Sequence, residues 1–224
     1  MGSWPAHLSV IGQALSDWWD DWVNLVVINL IWIVCWITVV LGPPATLGLY
    51  YVANRLAHGE SVGPKGLLEG GRRYFLQSWL WMMLNLVVMA ILVVNLTFYA
   101  TLAASWADWL KAFFVLLGLA WLVIQFYALP YLMEQERKRL RVALSNGLFT
   151  ALAAPGYTLA VAGFAALVVA LSAGLVFPFF LGGPCLVAVL GSLAVRERLE
   201  TYRVRERDLA HREPEPGEQN SNSN

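Results

Sequence analysis

The sequence predicts an all-α polytopic membrane bundle: three helical hairpins, with six membrane helices of which the second is short, joined by interfacial helices. Three observations carry this expectation. The chain is 58% hydrophobic and only 13% charged, against roughly 45–50% and 25% for a soluble domain. At least four stretches approach or exceed the roughly 18 apolar residues that argue for a transmembrane helix, and Trp79 to Ala100 contains no charge at all. Eleven tryptophans are present, several at the ends of apolar runs, where amphipathic rings favour the membrane–water interface.

Taken in order, Leu8, Ile11, Leu15, Trp18 and Trp22 recur at helical spacing with Asp17, Asp20 and Asp21 between them. That pattern suits a short helix on the membrane surface leading into the first span. The first membrane helix is expected over Trp22–Leu41. It ends at Gly42-Pro43-Pro44, because proline disrupts a helix interior but is tolerated in a first turn. The second, Pro44–Gly59, would be about 24 Å long at 1.5 Å per residue, short of the roughly 30 Å hydrocarbon core. A short span is favoured over a partly inserted helix because the end of the chain repeats the plan. LGPP…E at 41–60 and LGGP…E at 181–200 have identical spacing, with Gly182, Gly183 and Pro184 at the second break.

Residues 61–78 are expected to form a glycine-rich turn and an interfacial helix, with Leu67, Leu68 and Phe75 among Glu69, Arg72, Arg73 and Gln77. The third and fourth membrane helices are expected at Trp79–Ala100 and Lys111–Met133. Over 134–152, Leu140, Leu144, Leu148 and Leu152 form one stripe opposite a basic cluster, a second interfacial helix whose stripe reads as lipid- or protein-facing anchorage. The fifth and sixth are expected at Gly156–Phe177 and Pro184–Arg205. Residues 1–207 form a single membrane domain. The tail 208–224 has too few apolar residues to fold and is expected to be disordered.

Fourteen of fifteen Lys and Arg residues fall in the two linkers, in the ends of the second and sixth helices nearest them, or in the tail, with Lys111 alone on the other side. The positive-inside rule makes the fourteen cytoplasmic, and with them the C-terminus. The amino end carries no basic residue, so six helices with both ends inside and five with the amino end outside both remain open. No positive n-region precedes an apolar run, so a signal peptide is not expected.

Chemistry-bearing motifs are sparse. His7, His58 and His211 lie in surface or terminal segments, and no HExxH or GxSxG occurs. Glu134 and Glu136 read as solvated charges at the end of the fourth helix. Cys35 and Cys185 stand apart in apolar surroundings and read as buried free thiols. The glycines beside Lys65 do not match GxxxxGK[ST], so no phosphate loop is indicated. No cofactor and no nucleic-acid partner is expected; the expected environment is a lipid bilayer.

Within the spans the polar groups are amides and phenols. With six helices, Asn29, Tyr50, Tyr51, Asn85 and Gln125 fall at one depth, about 9–13 Å from the cytoplasmic ends of their helices; with five, Asn29 would lie in the outer half, nearer Asn95. Interhelical hydrogen bonding is the ordinary role of such groups, and a polar substrate site is the alternative. Asn29, Asn85 and Gln125 are expected to cluster, with the hydroxyl of Tyr50 or Tyr51 in reach. Small residues at Ala162, Ala166, Ala170 and Gly174 are expected to meet Pro184, Ala188 and Ser192 on the sixth helix.

Residues 29–60 carry a resemblance: Asn29-Leu30-Ile31-Trp32, Val40-Leu41-Gly42-Pro43 followed by Ala45-Thr46, Tyr50-Tyr51-Val52, then Arg55 and Gly59-Glu60. With the aromatic-basic Arg72-Arg73-Tyr74-Phe75, this is similar to the YesL-type family of small bacterial membrane proteins, a domain of unknown function. Pro44 doubles the usual proline, and the linker is less basic than the family pattern. The resemblance implies a non-enzymatic accessory or scaffold component of the inner membrane, associated with carbohydrate uptake or polysaccharide utilisation and with an uptake permease as partner. It brings no catalytic residues. The rival reading is a small-molecule transporter or channel subunit using the amide cluster.

Overall fold

In the computed structural model, residues 5–102, 104–175 and 177–210 are described, and among them all regular structure is helical. Ten helices follow in order: α1 (Ala6–Asp20), α2 (Trp22–Ile37), α3 (Gly42–Ala57), α4 (Pro64–Arg73), α5 (Phe75–Ala100), α6 (Ser105–Glu134), α7 (Leu140–Ala153), α8 (Pro155–Leu175), α9 (Phe177–Phe180) and α10 (Gly183–Ala210). Three of them, α5, α6 and α8, are long and apolar enough to cross a membrane. A fourth span results if α1 and α2, bent by 87° about Asp21, are one broken unit. The chain is therefore built like a multi-pass membrane protein.

The repeated Gly/Pro break prefigures the centre of the fold. α3 and α10, the two helices that follow the breaks, pack against each other. α3 is buried over most of its length, as is α10 from Cys185 to Val195 apart from Val187. α1, α2, α4, α5, α6, α8 and α9 pack against one or both of them, and α7 packs outside on α6 and α8. At the far end of α3, Arg196 of α10 donates to the carbonyl of Ala57, a basic side chain on the carbonyl end of a helix.

The α2–α3 turn occupies Thr38–Leu41: α2 ends four residues before the expected Leu41, and α3 begins two before the expected Pro44. Pro43 and Pro44 lie inside the first turn of α3, where their missing N–H groups would be unpaired anyway. Thr46 locks the turn. Its hydroxyl accepts from the indole N–H of Trp32 at 3.1 Å and of Trp36 at 3.2 Å, and donates to the Gly42 carbonyl at 2.9 Å. Those two tryptophans, four apart on one face of α2, thus act as interior hydrogen-bond donors. Val39 adopts φ 59°, an uncommon conformation for a β-branched residue.

Several expectations are corrected. Gly66, Gly70 and Gly71 belong to α4 itself, not to a turn before it. They are buried where α4 crosses α3: a Cβ on Gly70 would lie 2.7 Å from Cβ of Tyr51, and one on Gly71 would lie 3.0 Å from the Pro44 carbonyl oxygen. α5 then starts at Phe75, four residues early, leaving only Tyr74 as a joint. On α7 the buried face is Ala143, Gly147 and Thr150 against α6, and Leu148 and Leu152 of the leucine stripe are exposed, which does not contradict a lipid-facing stripe. On α8 the packed face is Tyr157, Val161, Ala165 and Ser172; Ala166, Ala170 and Gly174 point outward. The small-residue stripe therefore does not form the α8–α10 contact. α10 runs on through Asp208 to Ala210, so the tail begins later than 208, and its remainder from 211 lies outside the described residues.

α6 contains Pro130, which cannot donate to the carbonyl of Phe126. Gly191 of α10 fills that place: a Cβ there would lie 3.1 Å from Pro130 Cγ and 3.2 Å from the Phe126 carbonyl oxygen. A glycine lets α10 lie against the interrupted stretch of α6.

Candidate functional site

The five polar residues predicted to share one site do not come together in one place. Asn29 is fully buried on α2, and its Nδ2 donates to the carbonyls of Phe179 (2.7 Å) and Phe180 (3.4 Å). These are end-of-helix carbonyls at the second break, which no helical N–H satisfies. Gly182 there has φ +106°, a conformation glycine adopts without penalty, and Gly183 and Pro184 open α10. Cys185 Sγ lies 3.4 Å from the Leu25 carbonyl oxygen and 3.9 Å from Asn29 Oδ1. Asn29 thus pins α2 to the broken hairpin of α8–α10.

Asn85 and Gln125 do come together, through tryptophan. Gln125 Oε1 accepts from Trp81 Nε1 at 2.8 Å, and Asn85 Oδ1 accepts from Trp121 Nε1 at 3.1 Å. Asn85 Nδ2 returns a bond to the Trp81 carbonyl at 2.9 Å. The four residues form a ladder between α5 and α6. Asn29 is no part of it: α2 packs on α1, α3, α4, α9 and α10.

The tyrosines of α3 diverge. Tyr50 packs half-buried against the core. Tyr51 donates to Glu69 Oε1 of α4 at 3.3 Å, and the Arg55 guanidinium lies 5.6 Å from its ring centre. Neither hydroxyl is hydrogen-bonded to Asn29, whose partners are on α9 and α10, and α4 claims the Tyr51 side.

Two polar groupings were not anticipated. Glu134, expected to be solvated, accepts from Asn54 Nδ2 at 2.6 Å and lies 3.6 Å from His58 Nε2. The end of α6 is thereby tied to the end of α3. Nothing local betrays a pairing across 80 positions. The second lies where α6, α7, α8 and α10 meet. Tyr127 donates to Thr158 at 3.3 Å, the Tyr131 and Thr150 hydroxyls are 2.6 Å apart, and Arg198 lies 3.8 Å from the Tyr157 ring centre. Tyr127 and Tyr131, four apart on one helix face, were the available signal. Tyr157 Oη, Arg198 Nε and Glu197 Oε2 are buried here without a hydrogen-bond partner.

No family model, curated protein or solved structure matches this chain.

Chemically, these arrangements hold helices together. Most of their amides and hydroxyls bond partners within the chain, in separate places, while Gln125 Nε2 and Tyr157 Oη are buried without one. Among the described residues no three His, Cys, Asp or Glu side chains converge on a point where a metal could sit.

Proposed function

We propose that this protein is a six-helix bacterial inner-membrane protein with a cytoplasmic C-terminus, acting as a non-enzymatic accessory or scaffold component. The observation that carries this reading is the dispersal of the candidate polar cluster. Asn29 is committed to the carbonyls of the second break and Asn85 and Gln125 to tryptophans. A transporter subunit built on those amides would need them to converge on a shared space.

The six-span reading takes α2 and α3 as one hairpin, α5 and α6 as the second, and α8 with α10 as the third. Among the described residues, hydropathy selects α5, α6 and α8 as independent spans. α3 and α10 cross as central helices whose polar groups are turned toward other helices, so they need less apolar character than a lipid-facing span. The polar, basic half of α10 beyond Val195 then emerges in the cytoplasm, in keeping with the positive-inside rule. The resemblance of residues 29–60 to the YesL-type family supplies the association with carbohydrate uptake and with an uptake permease.

The test has two arms. The accessory reading expects a carbohydrate uptake permease to co-purify with the full chain, and purified protein in vesicles to give no sugar flux above empty vesicles. Saturable flux from the protein alone would instead establish the transporter reading. For orientation, single cysteines at 105 and 145 in a background lacking Cys35 and Cys185 should react with an impermeant maleimide from outside and only after lysis, respectively. The reverse pattern overturns the topology.

A further inference from the structure

We propose that the basic face of α4 is a binding site for the headgroup of an anionic glycerophospholipid. Lys65, Leu68, Glu69, Arg72 and Arg73 surround an open depression of about 610 Å³. Lys65, Leu68 and Arg72 are three and seven positions apart and so share one side of the helix. The opposite side of α4, through Gly66, Leu67, Gly70 and Gly71, is consumed by α3.

Charge at this site is unbalanced. The single carboxylate in the depression, Glu69, accepts the hydroxyl of Tyr51. Arg73 and Lys138 both lie 5.7 Å from the centre of the Tyr74 ring, so a further cation, whose ammonium donates to the Met133 carbonyl at 2.6 Å, stands near the depression without lining it. Among the described residues none of these four cations makes an ion pair within 4.0 Å. Consistently, burial and then the Arg73 charge draw the Lys138 ammonium below its ordinary range, with Glu134 opposing.

The surroundings select lipid over a soluble anion. Leu68, Phe75 and Leu76 are exposed beside the cations, at the point where the 26-residue apolar α5 begins. Cations and bare hydrocarbon side by side match a phosphodiester with its acyl chains. Arginine, with its planar fork, suits phosphate oxygens in particular. A lipid with net negative charge is preferred over a zwitterionic one, whose ammonium would meet the same cations. This site depends on the protein lying in a membrane and not on the accessory role proposed above.

Native mass spectrometry of the full chain in detergent, titrated with phosphatidylglycerol or phosphatidylcholine of identical chains, tests it. The first adduct should favour phosphatidylglycerol. Each cation removed should cost roughly fivefold, so R72Q/R73Q should lose roughly twenty-five-fold of that preference. The exposed pair R203Q/R205Q on α10 should leave it unchanged. Should R72Q/R73Q fail to fold, Lys65→Gln, at the exposed start of α4, gives the single-cation reading. Equal preference in wild type and the α4 variants overturns the proposal. So does displacement of phosphatidylglycerol by equimolar inorganic phosphate, which would mark a free-phosphate site.

Discussion

The crossing of α3 and α4 makes a sharp prediction about one methyl group. Gly48 is buried where α3 meets α4, and a Cβ there would lie 3.1 Å from the Gly71 nitrogen and closer still to the Leu67 carbonyl oxygen. Both neighbours are backbone, so neither can rotate away; α4 must move bodily. That motion opens the contacts of Gly66, Gly70 and Gly71 together. Without a hydrophobic drive between helices in lipid, such close backbone contact is the main attraction to be lost. Overpacking of this kind costs about 1–3 kcal/mol, against a propensity gain for Ala over Gly of about 0.8–1.0 kcal/mol. Because both clashes are with backbone, the upper end of the overpacking cost applies, and Gly48→Ala should destabilise by about 2 kcal/mol after the propensity gain is subtracted. A Cβ on Gly163, in α8, would meet nothing within 4 Å, so Gly163→Ala should gain up to about 1 kcal/mol. SDS-titration unfolding of both variants, followed by circular dichroism, measures the contrast. A Gly48→Ala protein as stable as wild type would show that α3 and α4 do not approach this closely.

Asn29→Leu should destabilise by about 1–3 kcal/mol, since it strips the Phe179 carbonyl of its partner in a buried setting; the same unfolding assay reads it, and an unchanged midpoint would place Asn29 elsewhere. A double-mutant cycle on Trp81→Phe and Gln125→Leu should give a coupling of about 0.6 to 1.7 kcal/mol, the range for hydrogen bonds between membrane helices, whereas Trp81→Phe with Asn29→Leu should be additive within about 0.5 kcal/mol. Ala166→Leu should be tolerated within about 0.5 kcal/mol because Ala166 is exposed, while Ala165→Leu, on the packed face, should cost about 1–3 kcal/mol; equal effects would mean α8 is rotated about its axis.

What the sequence determined by itself was the set of properties that live within a single helix. Hydropathy and length mark α5, α6 and α8, because an apolar run is a local fact about its solvent. The prolines and glycines at 42–44 and 182–184 place two breaks, since a missing N–H or Cβ acts on its own turn. Even the repeat of those breaks was legible, although its meaning, a pair of central helices, was not.

Tertiary structure decided how the helices face one another. The period of α8 allows a stripe of small residues and a stripe through Val161, Ala165 and Ser172; only the neighbours chose the second. Gly66, Gly70 and Gly71 read locally as a turn, because glycine is a poor helix former, until α3 supplied a backbone at a distance no side chain permits. Equal depth could not predict that Asn29 would seek carbonyls 150 residues away rather than the amides of α5 and α6. A buried amide bonds whichever group lacks a partner within reach, and reach is set by packing across the whole chain.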